Sequence, residues 1–344
     1  MKSLKTIFMT GMIALLVISC VERHEDSSDT ASEFRHEFAE GEKPWTNENF
    51  DVDETRLTFA VFSDLTGGER KKIFEVALKQ IALLRPEFIM SVGDLIEGGT
   101  YDREQIANEW QSFDDRANQA SAPIFRVGGN HDLTNPVMRD IWMNRFGARY
   151  YHFVYKKILF LILDTEDNTD ERMREIFDAR ARALERVKTE GWGIFDQTEY
   201  SLMPEQRQGT IREEQSAYFQ RVIAENPNVR WTFLFLHKAP WLSGTEQNFA
   251  AIEQTLAERP YTVFHGHEHF YMHEKRLGRD YIQLGTTGGV QFADKDLSID
   301  HVTLVTVSDS GVDIANLRMS GIFDKTGHIP LDGDSLCFDI SECP

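Results

Sequence analysis

Leu57-Thr-Phe-Ala-Val-Phe-Ser63 is an apolar run that ends on Asp64. The same grammar returns four times. Glu87-Phe-Ile-Met-Ser-Val92 leads into Gly93-Asp94, and Pro123-Ile-Phe-Arg-Val127 into Gly128-Gly129-Asn130-His131. Arg230-Trp-Thr-Phe-Leu-Phe-Leu236 leads into His237, and Pro260-Tyr-Thr-Val-Phe264 into His265-Gly266-His267-Glu268-His269. Short runs rich in β-branched and aromatic residues predict buried strands. Helical spacing over Glu69 to Leu84, Arg103 to Gln119 and Ile211 to Ala224 separates them. This alternation predicts α/β layers with a largely parallel sheet, whose ligands gather beyond the strand C-terminal ends. Lys157 to Leu163 is a further strand, ending on Asp164, while Tyr281 to Leu284, Asp300 to Val307 and Gly311 to Met319 read as antiparallel strands closing a second sheet.

Carboxylates at Asp64 and Asp94, an amide at Asn130 and imidazoles at His131, His237, His267 and His269 are thus delivered from five strand ends. Such a set predicts a metal centre rather than scattered surface polarity. Mixed nitrogen and oxygen donors suit Mn, Fe or Zn better than Cu(I) or Ca. A carboxylate shared by two cations would hold them about 4 Å apart, where both the attacking and the leaving oxygen can be clamped and water is acidified. An imidazole beside them can protonate a leaving alkoxide, and a carboxylate next to it would keep one tautomer.

In order and spacing, Asp64, Gly93-Asp94, Gly129-Asn130-His131-Asp132, His237 and Gly266-His267-Glu268-His269 resemble the calcineurin-like metallophosphoesterases over about Leu57 to Gly289. The resemblance implies a four-layer α/β sandwich of two mixed β-sheets flanked by helices. It implies two divalent or mixed-valence transition metals, and phosphomonoester or phosphodiester hydrolysis by a metal-bound hydroxide. Asp94 would bridge the metals; Asn130, His237 and His267 would complete one site, and Asp64 and His269 the other. His131 would face the substrate, with Asp132 orienting its ring.

One position departs from the pattern. The family usually has Asp-x-His where this chain has Asp64-Leu65-Thr66. A neutral hydroxyl is a poor ligand, so the first site is expected to be weaker and more open, although three protein ligands and water suffice for a catalytic metal. The alternative is a binding protein on a degenerate phosphoesterase scaffold. Arg70 reads either as an exposed first-turn residue or as a phosphate ligand, and Gly285-Thr-Thr-Gly-Gly289 either as a turn or as a phosphate cradle. His265 reads as a packing residue, His152, His273, His301 and His328 as structural or exposed.

The chain has 344 residues, 41% hydrophobic and 27% charged, which predicts a soluble body. Its net charge of -19 argues against binding nucleic-acid phosphates. Lys2 and Lys5 followed by an apolar run, Ile7 to Ile18, read as a signal peptide over 1–19. Val17-Ile-Ser-Cys20 resembles a bacterial lipobox, which implies lipidation of Cys20 and a membrane-anchored, exported protein in the cell envelope. Residues 20–48, which include His24 and His36, read as an acidic tether, and 49–344 as the phosphoesterase domain. Cys337 and Cys343 are expected to pair in an oxidising compartment. The charged stretch 166–208 reads as an insertion with at least one surface helix, either a solvated flap or a substrate lid.

Overall fold

The computed structural model describes residues 55–244 and 246–343. The leader, Cys20, the tether and the expected domain start at 49 lie outside the described residues. Two sheets organise the chain. The first has strand order β11-β10-β1-β2-β3, with β1 Leu57–Phe62, β2 Phe88–Ser91, β3 Ile124–Phe125, β10 His301–Ser308 and β11 Gly311–Arg318. The second has order β4-β5-β6-β7-β9-β8, with β4 Tyr151–Tyr155, β5 Ile158–Ile162, β6 Trp231–Phe235, β7 Tyr261–His265, β8 Met272–Arg276 and β9 Arg279–Gln283. Strands β1, β2 and β3 run parallel, as do β5, β6, β7 and β9; β10, β11, β4 and β8 are the antiparallel members. Both sheets are therefore mixed.

Strand alternation explains the layers. Phe59 and Val61 of β1 point into the space between the sheets, beside Phe160, Phe233, Phe235 and Phe264 of the second sheet. The Phe59 ring meets Phe160 and Phe233 edge-on at 5.6 and 5.2 Å. Ala60 and Phe62, one residue out of phase, face the opposite side and pack on helices α1 (Ile73–Leu84), α2 (Arg103–Ala117) and α3 (Pro136–Phe146). The second sheet turns Leu159, Leu161, Leu234, Leu236 and Val263 outward onto Phe219 and Ile223 of α6 (Glu213–Glu225) and Phe249 and Ile252 of α7 (Gln247–Thr255). Helix, sheet, sheet and helix make four layers, which is the predicted sandwich.

The late strands depart from the expectation. Tyr281 to Leu284 does not pair with 300–307; it lies in β9, parallel to β7 in the second sheet, while β10 joins the first sheet antiparallel to β1. The insertion holds α4 (Asp170–Glu190) and the short α5 (Glu199–Leu202). Ala179, Ala183 and Tyr200 form a small core of their own, with Ile176, Phe195 and Met203 packed on it. The body is tied to the insertion by buried Arg139, whose guanidinium donates to the Glu166 and Asn168 carbonyls. Lys238 adds an ion pair to Glu166 (3.0 Å) and a hydrogen bond to the Glu205 carbonyl. The expected Cys337–Cys343 bond is present. Among the described residues no helix is long and apolar enough to cross a membrane.

Candidate metal centre

The loops that follow β1, β2, β3, β6 and β7 converge at one end of the two sheets. Asp94 and Asp64 are buried, and Asp94 belongs to two sets of candidate ligands: Asp94, His237 and His267, and Asp64, Asp94 and His269. Within each set one ligand atom per residue lies within 4.8 Å of the others. Backbone conformation is part of the construction. Asp94, His267 and His269 have φ of 55°, 78° and 58°, left-handed values that cost a non-glycine residue energy and cluster at functional sites. Gly129 is required by close approach, since a Cβ there would sit 2.2 Å from Asp94 Oδ1.

Each candidate histidine is oriented by a main-chain carbonyl. A carbonyl only accepts, so the ring nitrogen facing it carries the proton and the other nitrogen is left as a donor to a metal. His237 Nδ1 donates to the Val92 carbonyl (2.8 Å), His269 Nδ1 to Val290 (2.6 Å) and His267 Nε2 to Gln206 (2.8 Å). Gln206 belongs to the insertion, so this segment is structurally part of the site and not a free flap.

The electrostatics ask for positive charge. His237 Nε2, once Nδ1 is committed, points a lone pair at Asn130 Oδ1 (3.0 Å) and Asp94 Oδ2 (3.2 Å). Acceptors converging in a buried place call for a shared positive charge, which a metal ion supplies or, without one, a proton on Nε2. Burial by itself would raise the Asp94 carboxyl, yet His237 and His131 beside it hold it well below the usual carboxylate range. The reciprocal effect appears at His237: burial opposes its charging, but Asp94 and Asp64 push it up to about 9. Asp64 behaves like Asp94, with burial opposed by His269 and His237. His267 is held well below its ordinary value by burial, with Lys238 and His237 adding to it, which keeps it a neutral ligand. In donor chemistry and charge the residues fit a pair of transition cations.

Thr66 is fully buried and contributes nothing to that donor set. Its Oγ1 donates to the Ile96 carbonyl at 3.0 Å and lies 3.3 Å from the Asp94 carbonyl, so the hydroxyl is spent on the main chain. Thr66→Ala is accordingly expected to leave metal stoichiometry unchanged while costing about 1 kcal/mol of stability for the lost hydrogen bond. Elemental analysis beside a denaturant titration checks both; a loss of metal in the variant would make Thr66 a ligand.

His131 stands next to these sets with its ring fixed from an unexpected direction. Nδ1 donates to the Glu97 carbonyl at 2.6 Å, and Nε2 faces the side of Gly67 and His269. Burial holds this imidazole below its ordinary value, against Asp94 and with the Arg180 guanidinium adding to it. The expectation that Asp132 orients the ring is corrected. Asp132 Oδ1 accepts from Leu95 (2.9 Å) and Ile96 (3.1 Å) and Oδ2 from the Gly129 N–H (2.9 Å), so its carboxylate fastens the backbone around Asp94 and Asn130. Adjacent side chains in a tight loop point to different sides, so sequence neighbourhood misled here.

Two further readings are settled by hydrogen bonds. Arg70 is neither exposed nor a phosphate ligand: it pairs with buried Asp300 at 2.6 Å and donates to the Gly289 and Cys337 carbonyls. The 285–289 turn has no free amides for a phosphate, since its N–H groups go to His301, Ile299, Asp64 (twice) and Asp300. His265 is buried against Trp241, with ring centroids 5.2 Å apart, as a packing residue. The carbonyls that orient the rings were missed because a main-chain acceptor has no side-chain signature.

Comparison with known proteins gives the family and supports the fold. The family model described as calcineurin-like phosphoesterase matches residues 57–271. A dimetal phosphatase from Danio rerio superposes with a TM-score of 0.54 at 14% identity, covering 76% of this chain and 96% of that one. The purple acid phosphatase PPD1 from yellow lupin (Lupinus luteus) seeds gives 0.50 at 14% identity, covering 78% and 53%. No curated protein sequence matches the chain.

Proposed function

Because the chain belongs to the calcineurin-like phosphoesterase family, we propose that it is a metal-dependent phosphoric ester hydrolase. Asp94, Asn130, His237 and His267 would hold one transition cation, and Asp64, Asp94 and His269 the other. The observation that carries this reading is the convergence of His237 Nε2, Asn130 Oδ1 and Asp94 Oδ2 on one buried point. When bound, the cations would supply Lewis acidity and lower the pKa of water near phosphorus. The chain's own residues do the remaining work. Asp64 and Asp94 neutralise the cations, and the Val92, Val290 and Gln206 carbonyls keep three imidazoles aimed. With Nδ1–H committed to Glu97, Nε2 is the ring nitrogen that takes up a proton when His131 is charged, and from there the proton would pass to the leaving oxygen. An acidic surface with a cationic centre would draw phosphate only locally.

The test is hydrolysis of a monoester and diester panel with and without chelator. Chelation should abolish turnover and Mn restore it, and His267→Ala should lower it by about 10²-fold or more, the scale of a metal contribution. Undiminished hydrolysis by the chelated protein or by His267→Ala would sink the proposal. One metal per chain or none, with no turnover on the panel, would favour the binding-protein alternative that Thr66 suggests.

Lys2, Lys5, the apolar run to Ile18 and Cys20 support a lipid-anchored, exported enzyme of the cell envelope. Cys20→Ser should then move the protein from the membrane to the soluble fraction, and retention at the membrane would refute the anchor.

A further inference from the structure

Helix α4 brings Arg180 to the rim of the centre with no partner among the described residues. Arg172, Arg182 and Arg186 of this helix each pair with a glutamate. Half-buried Arg180 has no hydrogen-bond or ion-pair partner among the described residues. Its guanidinium lies against a loop glycine: a Cβ at Gly99, whose φ is 66°, would sit 2.6 Å from Arg180 Nη1. One turn earlier on the same face, Phe177 rests on Tyr101 with ring centroids 4.6 Å apart. That loop is the one that orients His131: Glu97 holds the ring, and a Cβ at Gly98 would collide with the His131 carbonyl. Arg180 thus stands on the His131 side of the centre, the side on which the phosphoesterase reading would put the leaving group.

A partly desolvated guanidinium offers five N–H donors in a fork that matches phosphate or carboxylate oxygens. The described chain supplies no such anion here. Resting on the phosphoesterase reading above, we propose that Arg180 binds an anionic group on the leaving-group side of the substrate. The insertion is then a specificity element, selecting phosphate esters whose leaving group itself carries a phosphate or carboxylate over those with a neutral one.

The experiment compares phenyl phosphate, 4-carboxyphenyl phosphate and inorganic pyrophosphate as substrates of the Mn-loaded full chain, wild type, Arg180→Ala and Arg180→Lys. Equilibrium binding of pyrophosphate and of phosphate is measured by calorimetry on the same proteins. In Arg180→Ala the KM for the two anionic-leaving-group substrates should rise about tenfold relative to phenyl phosphate, the scale of one charge-assisted hydrogen bond. Arg180→Lys should recover part of the loss. Pyrophosphate binding should weaken relative to phosphate by a similar factor. Response to pyrophosphate but not to the carboxyphenyl ester would assign the subsite to phosphate, and the reverse to carboxylate. No change, or an equal change for all three substrates and both anions, overturns the proposal. If wild type turns over none of them, the monoester and diester panel above decides the phosphoesterase reading separately, and the pyrophosphate-to-phosphate binding ratio still decides the role of Arg180.

Discussion

Asp94→Asn is expected to lower kcat/KM by about three orders of magnitude and to strip the protein of both metals while leaving it folded. The size follows from the several kcal/mol that bound cations contribute to a charged transition state, at about 1.4 kcal/mol per tenfold. The selectivity follows from geometry. Asp94 Oδ1 accepts the His131 main-chain N–H at 2.9 Å, and Oδ2 lies 3.2 Å from His237 Nε2. An asparagine can keep the first bond through its oxygen and turn its NH2 toward His237. Its own donor then satisfies the lone pair that otherwise calls for a cation. In the metal-free chain Asp94 and His237 form a buried pair in which each stabilises the other's charged form, so the variant gives up that pairing and its thermal midpoint without metal should fall. Elemental analysis, steady-state kinetics and a melting curve on one preparation make the comparison. Wild-type metal content in Asp94→Asn would show that the two sets of ligands do not share this carboxylate.

This outcome depends on a residue that sequence alone pointed to, and the reason is physical. A ligand at the end of a parallel strand is announced by the apolar run before it, because that strand is buried on both faces. Asp64, Asp94, His237 and the 265–269 cluster all have such a run, and Asp64, Asp94, His237, His267 and His269 converge in the structure. Elements without a continuous apolar signature were harder to read. Strand β8, Met-His-Glu-Lys-Arg at 272–276, is largely exposed at a sheet edge and reads as loop. Helix α3 has a weakly amphipathic sequence, and its signal lay in its start: Asn135 caps Met138 N–H at 3.0 Å, with Pro136 in the first turn. The sheet to which β9 belongs was illegible, since Tyr-Ile-Gln-Leu reads the same whether its neighbour is β7 or β10. Arg180 was hidden for another reason. In a helix dense with Arg–Glu pairs, no pattern distinguishes an arginine left unpaired at the rim of the site from the others.

Asp132→Ala separates a ring-orienting role from the backbone role found here. Three buried N–H groups, those of Leu95, Ile96 and Gly129, lose their acceptor together. At roughly 1–3 kcal/mol for each unsatisfied group, offset by partial relaxation, the loss should be on the order of 4 kcal/mol. In a domain of this size that corresponds to a fall in Tm of about 10 °C. Leu95 and Ile96 follow Asp94 directly, and Gly129 precedes Asn130, so metal content should fall with stability even though Asp132 touches no candidate ligand atom. Asp132→Asn adds the discriminating comparison. Its oxygen can still serve Leu95 and Ile96, but its NH2 faces the Gly129 N–H, so about a third of the destabilisation should remain. If Asp132 acted on the His131 ring instead, Asp132→Asn would keep the wild-type Tm and metal content and shift only the pH dependence of kcat. With Nδ1 on the Glu97 carbonyl and Nε2 facing Gly67, neither ring nitrogen meets Asp132. A pH profile unchanged in shape, with a lowered Tm, is therefore the expected pair of results.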